Sequence, residues 1–149
     1  MEITDLLPAQ VPEIAEMETR IFSDPWTEAQ ITSQLTGEGH IFLAAVESGS
    51  VLGYISAMYV LDEGYVGNVA VREDCRCRGV GQALVEAMTA RAGEKRLAFL
   101  TLEVRESNLS ARRLYARCGY KDVGLRKNYY EKPRENAVLM TLELNRRCK

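Results

Sequence analysis

Between Gly64 and Val104 the chain runs strand, glycine turn, helix, strand, and that order leaves little freedom in how it can fold. Gly64–Val71 (GYVGNVAV) carries the small and β-branched residues of a strand. From Gly79 onward Val80, Leu84, Ala87 and Met88 recur at helical spacing, with Gly93 placed to stop the helix. Leu97–Val104 (LAFLTLEV) is a nearly continuous apolar run, the pattern of a strand covered on both faces. Two strands joined through a helix must lie parallel in one sheet, because a hairpin cannot connect them. Ligands of such sheets gather beyond the carboxyl ends of the parallel strands.

The flanking segments add antiparallel strands and further helices. Ile3–Leu7 fits a short first strand. Val11, Ile14, Met17, Ile21 and Phe22 then recur at helical spacing, with Pro12 tolerable only in the first turn. Thr27-Glu28-Ala29-Gln30 is a capping box that opens a second helix. The turn between these helices, Ser23 to Trp26, carries an aromatic ring. His40–Glu47 and Val51–Val60 are strands joined by the hairpin signal Ser48-Gly49-Ser50, and Gly67 in the next strand marks a bulge or a close backbone approach. A helix from about Asn108 presents Ala111, Leu114, Tyr115 and Cys118 on one face and ends at Gly119. Closing strands near Tyr120–Leu125 and Ala137–Leu144 flank a polar loop. The order is β-α-α-β-β-β-α-β-α-β-β. It predicts an α/β (α+β) fold, a mixed central sheet of about seven strands with helices on both faces. Without repeats, linkers or low-complexity tracts, residues 1–149 read as one domain.

Composition excludes several classes of function. A net charge of −2 opposes bulk attachment to nucleic acid or anionic membrane. No apolar run is long enough to cross a bilayer, and MEITDLLPAQ lacks the basic and apolar segments of a secretory signal, so a cytoplasmic location is expected. In a reducing compartment Cys75, Cys77, Cys118 and Cys148 are expected as free thiols. No metal is expected either. The only histidine, His40, reads as a strand-end residue, and Cys75-x-Cys77 has no second ligand pair at zinc spacing.

The segment most informative about chemistry is Arg76-Cys77-Arg78-Gly79-Val80-Gly81-Gln82-Ala83. Its glycines stand at a helix start, where unpaired amides and the helix dipole favour phosphate. Solvated arginines in an ordinary loop are the alternative. Gly79-x-Gly81 with the acid Glu103 on the following strand also imitates a dinucleotide fingerprint. Against that, the third glycine position is Leu84, the residues Arg72 to Arg78 make the turn too long, and the unit starts too late to build a doubly wound sheet. A P-loop is excluded, since no Gly-Lys-Ser/Thr follows.

Arg76-x-x-Gly79-x-Gly81 after Asn68-Val69-Ala70-Val71 resembles the acetyl-CoA signature, Gln/Arg-x-x-Gly-x-Gly/Ala, of the GNAT superfamily of N-acetyltransferases. A second block, Leu102-Glu103-Val104-Arg105, Ser107-Asn108, Ala111, Leu114-Tyr115 and Gly119-Tyr120, is similar to the RimI-type branch, the ribosomal-protein-alanine N-acetyltransferases. So are Phe22 to Trp26 and Arg126-x-Asn128-Tyr129-Tyr130. The resemblance implies the GNAT fold, acetyl-CoA as co-substrate, and a protein N-terminus, that of a small-subunit ribosomal protein, as partner. It implies that the backbone of Arg76, Cys77, Arg78, Gly79, Val80, Gly81 and Gln82 holds the pyrophosphate, that the main chain of Val69, Ala70 and Val71 pairs with the pantetheine arm, and that Asn108 touches the cofactor. The cysteines at 75 and 77 depart from the letters usual beside this turn.

Glu103 and Tyr115 each carry two readings. A carboxylate ending an apolar strand where ligands gather is either a solvent-reaching charge or a general base. Tyr115, at helical spacing with Ala111 and Leu114, is core by default, and the resemblance makes it the general acid for the departing thiolate. Asn108 is also a natural helix cap. An acceptor pocket is expected between Pro25-Trp26 and an Asn128-Tyr129-Tyr130 loop, making Trp26, Tyr129 and Tyr130 the candidate substrate contacts. An α-amine with a pKa of ~7.7–8.0 is roughly 10–20% neutral at pH 7, against under ~1% for lysine, which favours N-terminal acetylation. Transfer to lysine or a small amine, and a non-catalytic acyl-CoA-binding module, are the competing readings.

Overall fold

The computed structural model describes residues 1–144, so Cys148 lies outside the described residues. The elements are β1 (Glu2–Asp5), α1 (Val11–Ile21), α2 (Glu28–Leu35), β2 (His40–Glu47), β3 (Ser50–Val60), β4 (Glu63–Val71), α3 (Val80–Glu94), β5 (Phe99–Arg105), α4 (Leu109–Arg117), β6 (Lys121–Glu131) and β7 (Arg134–Glu143). Their order is the one the sequence predicts.

Local chemistry accounts for the joints. Pro12 lies in the first turn of α1, where its missing N–H costs nothing. The α2 capping box forms: the Gln30 amide donates to Thr27 Oγ1 (3.2 Å) and the Thr27 amide to Gln30 Oε1 (2.8 Å). Ser48 (φ 53°) and Gly49 (φ 81°) make the two-residue turn joining β2 to β3, both in the left-handed region that a primed hairpin turn requires. Gly119 (φ 100°) ends α4 as expected.

Gly93 does not end α3. The helix continues through Glu94, and Arg96 takes the left-handed conformation (φ 61°). Its amide bonds Gly93 O, and that of Leu97 bonds Ala92 O, each at 3.0 Å. This is a Schellman end, whose position is set by burial of Leu97 against the core rather than by the glycine.

All seven strands form one sheet in the order β1-β2-β3-β4-β5-β7-β6. The single parallel pairing is β4 with β5, bridged by α3, and it covers only Glu63–Tyr65 against Phe99–Thr101. Beyond those residues the two strands part. One face of the sheet packs Leu43, Leu84, Met88, Leu100 and Met140 with α3 and α4; the other packs Ile14, Ile31, Phe42 and Tyr54 with α1 and α2.

Two expectations about the second half are corrected. β5 is sealed on one face only: Leu100, Leu102 and Val104 are buried, while Thr101, Glu103 and Arg105 are half-buried. No β5 residue joins the core under α1 and α2, so this face of β5 stays partly open. The polar loop between the closing strands is instead a continuation of the β6–β7 hairpin, turning at Lys132-Pro133. Its outer ladder is exposed to solvent, so it has no apolar alternation for a sequence to display.

Candidate active site

The first component is an open strand edge. The pairing of β3 with β4 steps from Ile55–Val69 to Ala57–Val66, so Ser56 faces both Gly67 and Asn68 in a bulge. The Asn68 amide donates to Ser56 Oγ (3.0 Å), and a Cβ on Gly67 would come within 2.9 Å of that oxygen. Past the bulge the Arg72 amide bonds Leu52 O (2.8 Å), which fixes the alternation of the ladder. Ala70 therefore turns its backbone groups toward Tyr54 on β3, and Val69 and Val71 turn theirs toward the side vacated by β5.

The second component is the glycine turn. Cys77 (φ 66°) and Gly79 (φ 81°) bend the chain, and Gly79 stands immediately before α3. Among the described residues, the amides from Cys77 to Gln82 have no protein acceptor; the first to find one is Ala83, on Gly79 O (3.0 Å). The arginine side chains are engaged elsewhere, Arg76 Nε with Val71 O (3.3 Å) and Arg78 with Glu47 (3.0 Å). Val80 is buried beneath the turn. A Cβ on Gly81 would approach Leu114 Cδ2 to 3.2 Å, so this glycine lets α3 and α4 pack closely. What the turn offers a ligand is therefore backbone N–H groups, the donors suited to a diphosphate.

Glu103 and Tyr115 lie on opposite faces of the sheet, Glu103 on β5 beyond its last pair with β4. Glu103 is on the partly open face and accepts hydrogen bonds from Arg126 Nε (2.9 Å) and the Tyr129 hydroxyl (3.4 Å). Tyr115 is buried on the α3–α4 face, with its ring 5.8 Å from that of Tyr120. Burial, followed by the neighbouring Tyr130 and Cys118, pushes the Tyr115 phenol up to about 12. Its hydroxyl has no hydrogen-bond partner among the described residues, yet is not sealed from solvent. Tyr130 feels both sides: burial first, then Tyr129 and Glu103, raise its phenol to about 12, with Arg105 opposing. The Arg105 guanidinium lies 4.3 Å from the centre of that ring.

Asn108 caps α4, its Oδ1 accepting from the Ala111 amide (3.1 Å). The corner before it is fastened to β7, with the Ser107 amide donating to Glu135 Oε2 (2.6 Å).

Of the candidate acceptor residues, Tyr129 and Tyr130 belong to strand β6, not to a loop. A register shift between Arg126 and Tyr130, with Asn128 at φ 54°, bulges the strand there. Their rings meet edge-to-face at 5.0 Å. Trp26 is half-buried against the α1–α2 core, and its ring edge lies 3.8 Å from where a Gly67 Cβ would stand. The Ser23 hydroxyl donates to Lys132 O (3.2 Å), tying the Trp26 turn to the β6–β7 turn.

Two residues were not singled out from the sequence. Arg126, which holds Glu103, opens the stretch Arg126-x-Asn128-Tyr129-Tyr130, but its partner is distant in the chain. Glu18 is a carboxylate on the apolar stripe of α1, four residues after Ile14, and that misplaced polarity was its only signal.

Cys75, Cys77 and Cys118 are free thiols, Cys77 being exposed. His40 begins β2, its Nδ1 3.0 Å from Glu38 O. Among the described residues no cluster of three His, Cys, Asp or Glu side chains is placed to hold a metal, and no helix is long and apolar enough to cross a membrane.

A sheet parted between β4 and β5, with bare amides at the start of the crossover helix, defines an acetyltransferase architecture, and the chain belongs to the acetyltransferase (GNAT) family, whose family model matches residues 11–120. Among its relatives is the [ribosomal protein bS18]-alanine N-acetyltransferase of Haemophilus influenzae, 34% identical over 145 residues, covering 95% of this chain and 98% of that protein. The crystal structure of the ribosomal-protein-S18-alanine N-acetyltransferase from Escherichia coli superposes with a TM-score of 0.90 at 31% identity, covering 99% of this chain and 96% of that one. Ard1 from Thermoplasma volcanium gives a TM-score of 0.84 at 27% identity, with 96% and 97% covered.

Proposed function

We propose that this chain, acting as one domain over residues 1–149, transfers the acetyl group of acetyl-CoA to the N-terminal α-amine of a protein. The proposed acceptor is the N-terminal alanine of a small-subunit ribosomal protein in the cytoplasm. The observation that carries the reading is the presence of two sets of unpaired backbone groups close in the chain: the open edge of β4 and, after the short turn Arg72–Arg76, the bare amides from Cys77 to Gln82. Together they suit a diphosphate followed by an amide-containing arm. The names of the relatives at 31–34% identity supply the acceptor.

In this reading Cys77 to Gln82 bind the diphosphate through backbone N–H groups, with Arg76 and Arg78 adding positive charge. Val69 and Val71 pair with the pantetheine amides, Ala70 holding the spacing between them. Asn108 caps α4 beside the cofactor. Acetyl-CoA supplies an activated acyl group as a thioester. Glu103 takes the proton of the incoming amine, directly or through water, as the amine nitrogen bonds the carbonyl carbon and the C–S bond breaks. Tyr115, held protonated far above neutral pH, donates to the departing sulfur. Trp26, Tyr129 and Tyr130 flank the acceptor. An α-amine needs only a modest base, because at pKa ~7.7–8.0 it loses its proton easily.

The test is thiol release from acetyl-CoA with two peptides, each beginning with alanine and containing one lysine, identical except that one has a blocked N-terminus. Release with the free peptide alone is expected. Equal release with the blocked peptide would move the activity to lysine and overturn the reading.

A further inference from the structure

Among the described residues Glu18 is the one charged side chain with no exposed surface. Its carboxylate accepts from groups on separate segments: the Tyr54 hydroxyl on β3, Asn68 Nδ2 (2.7 Å) in the β4 bulge, and the Trp26 amide (3.0 Å) in the α1–α2 turn. Burying a carboxylate is costly, and apolar replacements of buried ionic groups are often neutral or stabilising. Core stability alone therefore does not call for an acid here. What a leucine could not do is draw three donors to one point. Two of them belong to opposite halves of the proposed site: Asn68 stands three residues past the last β4–β5 pair, directly before the open edge at Val69, and Trp26 lines the acceptor side in the reading above.

We infer that Glu18 is a positioning residue that sets the β4 bulge and the Trp26 turn together, coupling the donor edge to the acceptor wall without touching either substrate. The third donor, Tyr54, anchors the carboxylate to the sheet. Burial and then the Glu18 charge hold its phenol far above its ordinary range, so it remains a donor throughout. The inference rests on the acetyl-CoA reading given above.

Glu18→Gln keeps the shape but turns an NH₂ group toward at least one of the donors. Loss of a hydrogen bond to a buried charge predicts a rise of about tenfold in the coenzyme A Kd, measured calorimetrically, and a similar rise in the peptide KM, with kcat near wild type. Asn68→Ala should raise the coenzyme A Kd alone, by several-fold or about fivefold. Tyr54→Phe should lower the melting temperature and leave both constants unchanged. A purely structural role would instead shift the melting temperatures while leaving Kd and KM at wild-type values in every folded variant, and that result would overturn the inference. If Glu18→Gln does not fold, the contrast between Asn68→Ala and Tyr54→Phe decides. Failure of the wild-type chain to bind coenzyme A would refute the acetyl-CoA reading itself.

Discussion

The two halves of the proposed site are built from different materials. On the donor side the useful groups are backbone amides and carbonyls, displayed by a positive-φ glycine, a helix start and a strand edge left open as β5 departs. On the acceptor side they are side chains, Trp26 from the α1–α2 turn and Tyr129 and Tyr130 from a bulged outer strand, held by Arg105, Arg126 and Ser23. The difference teaches where each specificity resides. A donor common to a whole family can be held by main chain, indifferent to most side chains. An acceptor must be distinguished from other amines, which only side chains can do.

The largest effects are expected where the halves meet. Glu103→Gln and Tyr115→Phe should each lower kcat by about 10²-fold or more while leaving coenzyme A affinity near wild type, as loss of a proton-transfer group does. Stopped-flow or steady-state thiol release, paired with calorimetry, reads both quantities. Wild-type rates in both variants would remove these residues from the chemistry.

Next in size is the contrast within the donor half. Gly79 has φ 81° and open space around it, so Gly79→Val meets no neighbour and acts only through backbone strain. At roughly 1–2 kcal/mol for a non-glycine residue in that region, the coenzyme A Kd should rise about tenfold. Arg78→Ala, removing a side chain already engaged by Glu47, should cost about threefold or less. The reverse ranking would mean that side chains, not amides, hold the donor.

Tyr129→Phe sharpens the acceptor half. It removes the hydroxyl that donates to Glu103, so the peptide KM should rise about threefold with coenzyme A affinity untouched. Equal loss on both substrates would break the division.

The smallest effect is on pH dependence. Burial raises the phenols of Tyr54, Tyr115, Tyr120 and Tyr130 above their unfolded value. A raised phenol stabilises the fold fully below the unfolded pKa of about 10, and the contribution is lost as pH climbs toward the folded values. The melting temperature, followed calorimetrically, should be insensitive to these groups below about pH 9.5 and decline above about pH 10. Activity should rise with pH through the acceptor amine's range of about 7.7–8.0, with no loss of the Tyr115 acid by about pH 10.

The same division governs what could be seen in the sequence. The donor half was legible because its determinants are local: glycines at a helix start, a strand before it, a second strand after it, and Gly67 marking the bulge. The capping box at Thr27 and the end of α4 at Gly119 were legible for the same reason. The acceptor half was less so. Arg126–Glu131 became strand only by pairing with Arg134–Ala137, and all of it but Tyr130 is exposed, so no alternation announced it. β5 looked doubly buried because apolar letters cannot tell which face a helix reaches. Gly93 looked like a helix end because local propensity favours it, yet burial of Leu97 placed the end at Arg96. Glu18 stayed hidden because its partners, Tyr54 and Asn68, are brought to it only by the sheet.

The most direct test is to incubate the enzyme and acetyl-CoA with unacetylated small-subunit ribosomal proteins and locate the added groups by tandem mass spectrometry. The account predicts acetylation of the α-amine of a protein that begins with alanine, and none on lysine. Acetyl groups confined to lysine side chains, or no transfer from a preparation that binds coenzyme A, would contradict it.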